Sequence, residues 1–177
     1  VAKGITYAEC KALDPCSNDF KRVAKLLGGK KGWNGNLIDA ASARAAGCTI
    51  NDILWVASAL SRKDADIERR LRLFAADCAA HVLHIYERSE SSPAPRNSII
   101  ASRQYARGEI DDAAWDAARA AARDAAWDAA QAAARDAAGA AAGAAEEAWQ
   151  FARLVERLSE NEPEDWPLPA KSEAVAA

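Results

Sequence analysis

Cys78, His81 and His84 follow one another at intervals of three in DADIERRLRLFAADCAAHVLHIYER, a stretch with strong helical period. Thiolate and imidazole are good ligands for zinc or iron, and groups three apart share a helix face, so these three are candidate metal ligands. Asp77 stands four residues before His81. A closed zinc site takes four ligands, and the spacing supplies no complete fourth. Cys78 also falls on the apolar stripe, and a histidine near a helix end can simply face water or meet the last carbonyls. A core thiol and two helix-end imidazoles explain the pattern better than a metal centre, and no metal or cofactor is expected. The remaining cysteines, Cys10, Cys16 and Cys48, form no CxxC pair, which argues against a zinc ribbon or a redox motif.

Other chemistry is thinly represented. GGKKGWNGN at 28–36 resembles a phosphate cradle, but it lacks the GxxxxGK[ST] order and follows a helical pattern, so it is expected to be a loop. Trp33 within it is either an exposed anchor for a partner or a lid on the core. Arg62, Lys63, Arg69, Arg70 and Arg72 are interleaved with Asp64, Asp66 and Glu68 at ion-pair spacings. That reads as a solvated, paired face and argues against nucleic acid, since no aromatic residues line up to stack bases. GxSxG and HExxH are absent, and no nucleophile and base are paired by spacing. The expectation is a protein without catalytic machinery.

These residues must be positioned by helices. Thr6–Glu9 has the form of a capping box and opens a helix to about Leu13, and Thr49–Asp52 opens another across INDILWVASALS. Ser17 is a candidate cap for a helix carrying Phe20, Val23, Ala24 and Leu27, and Asn36 for LIDAASARAA, which Gly47 ends. From Asp64, Ile67, Leu71, Phe74, Ala75, Cys78, Val82 and Ile85 define the strongest apolar face. Residues 89–96, with two prolines, are expected as a loop, and Asn97 as the cap of a helix that Gly108 ends.

The repeat AAWDAARAAARD at 113–124, followed by AAWDAAQAAARD at 125–136, lies in a segment where alanine fills 21 of the 33 positions from 113 to 145. Alanine has the highest helix propensity because ordering it costs no side-chain entropy. Residues 110–158 are one long helix or two with a break, a choice the sequence leaves open. Gly139 and Gly143 would allow the closest backbone approach, with Trp115, Trp127 and Trp149 as plugs among small residues. No stretch alternates with period two over strand length. The fold class is therefore all-α: a single helical domain over 1–160, with N-terminal helices in 1–88 and alanine-rich helices in 97–158, then an extended tail at 161–177 that Trp166 could dock. A net charge of −3 provides no strong field for nucleic acid or membranes. The absence of a long apolar run or a leader-like start fits a cytoplasmic protein with reduced thiols.

In order, YAECKALDPC, DILWVASAL, RLRLFAADCAAHVLHIYE, PAPRNSIIASRQYARGEI and the alanine-rich residues 113–152 resemble a family of small bacterial and phage immunity proteins of the Imm-5-like type. The matching positions are Trp55, Cys78, Pro95, Arg96, Arg103 and Gly108. The resemblance implies a role in a polymorphic toxin system, where an immunity protein binds its cognate toxin and covers the active surface. It brings no catalytic residues with it. Trp33, Arg96, Arg103 and Trp166 are the candidate partner contacts, against the competing reading that carboxylates tie the two arginines into the fold. Two other readings are carried: a phage-encoded, anti-CRISPR-like inhibitor of a host defence complex, and self-assembly of the alanine-rich helices into a homo-oligomer.

Overall fold

The computed structural model describes residues 4–33, 36–89, 92–120 and 140–170. The protein is all-α, and the described residues contain no strand. The helices are α1 (Tyr7–Ala12), α2 (Ser17–Leu26), α3 (Gly29–Trp33), α4 (Ala40–Ala45), α5 (Ile50–Ser61), α6 (Ala65–Ser89), α7 (Ala94–Ala106), α8 (112–120 as described) and α9 (Ala140–Arg157). No described helix is long and apolar enough to cross a membrane. The chain groups into two compact units. Val1–Leu71 with Glu147–Pro163 form the first, and Arg72–Glu146 with Glu164–Ala177 the second. The expected tail at 161–177 is thus divided between them.

Local hydrogen bonding sets most helix starts. Thr6 and Thr49 each accept from the backbone N–H three residues on, while Glu9 and Asp52 accept in return from the threonine N–H groups at 2.8 Å. The Thr6 box is the one expected, and the second box forms where a helix was expected to open at Thr49. Ser17 is not a cap: it is the first helical residue, and Cys16 precedes it without a side-chain bond. Nor does Asn36 cap α4. Asp39 does, accepting from the Ser42 N–H at 2.7 Å, because Leu37 and Ile38 are held extended by an antiparallel bridge from Ile38 to Ile5. GGKKG is not a loop either. Gly28 and Gly29 adopt positive φ of 82° and 70°, which lets the chain turn and restart at once as α3.

Two further expectations change around α6. The helix continues to Ser89, and α7 already begins at Ala94, so Pro95 sits in the first turn, where its missing N–H costs nothing, and Asn97 lies inside the helix. The buried face of α6 in the second unit is Leu73, Phe74, Ala76, Asp77, Ala80 and Leu83. Val82 and Ile85, expected in the core, are 37% and 54% exposed. Side-chain size does not decide which face is buried, since Leu73, Phe74 and Leu83 share it with Ala76 and Ala80.

The first unit's core surrounds Trp33, 1% exposed, with Ile5 and Cys10 buried beside it and Tyr7, Phe20, Val23 and Leu60 packed around them. Tyr7 meets Trp33 edge-on at 5.5 Å and Phe20 at 5.2 Å between ring centroids. In the second unit Ala76, Ala80, Leu83 and Ile99 form a buried cluster, closed over by Trp166 and Leu168 from the tail. Among the described residues, nothing comes within 4 Å of a Cβ built on Gly143, so the expected close approach is not found there. Gly139, Trp127 and the choice between one helix and two fall on 121–139, outside the described residues.

Candidate partner-binding site

The sequence-derived candidates separate cleanly once placed. Trp33 is no exposed anchor. Its ring is enclosed in the first unit, and its indole N–H donates to the Ile5 carbonyl at 3.0 Å. A buried indole needs such a partner, and the Ile5–Ile38 bridge supplies the carbonyl in the right place.

Arg96, Arg103 and Trp166 come together in the second unit. Arg103, 8% exposed, donates from Nη2 to Asp77 Oδ1 at 3.1 Å and to the Trp166 carbonyl at 2.6 Å. Asp77 is fully buried, and its Oδ1 also accepts the Trp166 N–H at 2.9 Å. A buried carboxylate is tolerated only when paired and hydrogen-bonded, and here both conditions are met. Arg96 grips Glu87 with two bonds of 2.7 and 2.6 Å and reaches the Pro169 carbonyl at 2.7 Å. These three residues are tied into the fold around the tail, so they are not a free outer face.

The metal candidates are not brought together. His81 Nδ1 lies 2.8 Å from Glu146 Oε2, and its ring meets Trp166 edge-on at 5.2 Å. His84 Nδ1 lies 3.0 Å from the His81 carbonyl. No group of three or more histidine, cysteine or acidic side chains is placed to hold a metal ion among the described residues. In the basic cluster, Arg69 bonds both Asp66 and Glu162, while Arg70 bonds Asp66 and the carbonyls of Arg157 and Ser159. Arg72, in the second unit, lies 4.5 Å from the Tyr105 ring centroid and 4.7 Å from that of Trp115.

A further accessible feature lies on the first unit. A groove of about 430 Å³ runs between α2 and α5, lined by Pro15, Cys16, Phe20, Val23, Trp55 and Val56 with Asp19, Arg22, Thr49, Asn51 and Asp52. Trp55 is 41% exposed, because α5 turns Ile53 and Ala57 inward and leaves the residue between them on the opposite side. Arg22 Nη2 meets Asp52 Oδ1 at 2.5 Å across the groove. Burial alone would raise the Asp52 carboxyl, but hydrogen bonds from Arg22 and Thr49 hold it below the ordinary range, so it stays charged. The site combines a half-exposed indole, an apolar floor and fixed charges of both signs. The sequence marked Trp55 as a residue beside an apolar face and as a matching position of the resemblance, but not as a partner contact. Its position off the Ile53, Ala57 and Leu60 spacing was the available signal.

The thiols differ sharply in access. Cys16 is exposed at the groove, whereas Cys10 and Cys48 are buried and line a cavity of about 80 Å³ in the core. Burial, and secondarily Cys48, pushes the Cys10 thiol up to about 11, which keeps it protonated and inert at neutral pH.

No family model, curated protein or solved structure matches this chain.

Proposed function

We propose that the protein is a non-catalytic inhibitor that works by binding another protein, in the manner of an immunity protein that neutralises a cognate toxin. The half-exposed Trp55 at the α2–α5 groove carries this reading. Large aromatic side chains set among apolar floor residues and a polar rim dominate protein-interface energetics, and indole is prominent among them. The groove's charges, Asp19, Arg22 and Asp52, are arranged to select among partners more than to add affinity. The resemblance to Imm-5-like immunity proteins, in which Trp55 is one of the matching positions, supports the toxin as the partner class.

The test is affinity capture with the tagged chain and with its Trp55→Ala variant, followed by expression of any captured protein with and without the chain. A stoichiometric partner that arrests growth alone, is neutralised by the chain, and is held at least tenfold less well by Trp55→Ala is the expected result. A partner belonging to a nucleic-acid-targeting defence complex would instead establish the counter-defence alternative. Equal capture by both forms would remove the groove from the reading.

A further inference from the structure

Asp165–Pro169 sits on the second unit as a bound peptide does. The segment has no helix or turn, and two of its five residues are prolines, which have no N–H to satisfy and favour extended backbone in the residue before each. Its backbone is recognised at three points: the Trp166 N–H by Asp77, the Trp166 carbonyl by Arg103 and the Pro169 carbonyl by Arg96. Trp166 and Leu168, two residues apart and so on one side of an extended chain, pack on Ala76, Ala80, Leu83 and Ile99. Asp165 pairs with Arg107, and its carboxylate lies 3.5 Å from Arg103 Nε. A tail that only shielded an apolar core would need apolar contacts alone. Here buried charged side chains on two helices are spent on reading the backbone of a particular peptide, which is how peptide-recognition sites combine affinity and specificity.

The geometry points to a peptide-recognition site on the α6–α7 face of the second unit, whose ligand is an extended acidic Trp-Pro-Leu-Pro segment and whose second occupant is the tail of another copy of this chain. Every copy carries both the site and the segment that fits it. When one tail leaves, it exposes a site and frees a ligand, and reciprocal exchange with a second copy restores every contact with two-fold symmetry. The tail in place competes as an intramolecular ligand, at an effective concentration on the order of mM, so exchange grows with protein concentration.

The experiment titrates a fluorescent peptide of residues 162–170, EPEDWPLPA, against the full chain carrying Trp166→Ala, with its fold checked by circular dichroism. Saturable binding at least tenfold tighter than to the unmodified chain is expected, because the unmodified tail blocks its own site. Adding Arg96→Ala should weaken that binding about tenfold, since a charge-assisted bond to the peptide backbone is lost. Tagged Trp166→Ala chain should also retain untagged unmodified chain at high concentration and release it when the peptide is added. A folded Trp166→Ala chain that binds the peptide no better than the unmodified chain does overturns the recognition site, and binding without retention of a second chain overturns the second occupant. Should Trp166→Ala not fold, Leu168→Ala, which leaves the backbone contacts intact, must give the same ranking with a smaller ratio; equal binding by it and the unmodified chain would overturn the proposal.

Discussion

Trp33 and Asp77 are both almost completely buried, one in each unit, and they show two ways of organising a chain poor in large apolar side chains. The first unit concentrates its few aromatic rings: Trp33, Tyr7 and Phe20 touch one another, with aliphatic residues around them. In the second unit a cluster of Ala76, Ala80, Leu83 and Ile99 is closed by a tail held through a buried carboxylate and two arginines. An aromatic core is non-directional and tolerates small adjustments, whereas a buried ionic cluster is costly unless every member is present. The first arrangement contributes stability outright. The second specifies which segment may close the unit, which is why its candidate residues do not form an outer contact face.

The largest test of that contrast is Trp33→Ala. It removes the ring and leaves the Ile5 carbonyl without its indole donor, and it should cost about 4 kcal/mol in denaturant unfolding followed by a probe in the first unit. A loss under about 1 kcal/mol would mean that this ring is not what organises the core. Asp77→Ala should follow at about 3 kcal/mol, the range for breaking a buried ion pair. Its signature is different: limited proteolysis should cut near Trp166 earlier than in the unmodified chain. Tail protection unchanged in that variant would show that apolar packing alone holds the segment.

Smaller effects sharpen the picture. Thr49→Ala removes one capping box and should cost about 1 kcal/mol, without altering tail protection. Acid should act on the first unit through Glu162, Asp39 and Asp52. The guanidinium of Arg69 holds Glu162 below the ordinary carboxylate range, and the Ser42 N–H does the same for Asp39. Because the folded values lie below the unfolded ones, this stabilisation is complete above about pH 5 and is lost as pH falls through the depressed values. Stability measured by the same probe that is flat from pH 6 to 3 would contradict it. At the small end, Ile85→Ser on the exposed side of α6 should change stability by less than about 0.5 kcal/mol, while Leu83→Ala on the buried side costs about 2 to 3. The reverse order would restore the apolar face expected from periodicity.

That α6 comparison marks a limit of pattern reading. Ile67 and Phe74 are buried as the period suggests, yet further along the helix the core takes Ala76, Ala80 and Leu83, while Val82 and Ile85 stay partly exposed. Hydropathy ranks side chains by transfer cost, and it carries no information about how near a neighbouring element can come. Pro95 was similarly ambiguous: proline is a helix breaker in the interior and a good residue in the first turn, and the choice depends on where the helix begins. The candidate site was less legible still. The resemblance singled out Arg96 and Arg103, and the tail's composition Trp166, but their common purpose depends on bonds such as Trp166 to Asp77, between residues 89 positions apart.

The sequence by itself determined the all-α class, the capped helix starts at Thr6 and Thr49 and the glycine stops at Gly47 and Gly108, both with positive φ. These depend on hydrogen bonds between residues three or four apart and on the backbone freedom of single residues, so they need no knowledge of the rest of the chain. Only the tertiary structure decided that Trp33 lies inside, that Trp55 stays half exposed, and that the tail is held as a ligand. Each of these turns on which faces meet across long separations, where burial, paired charge and backbone bonding must all be satisfied at once.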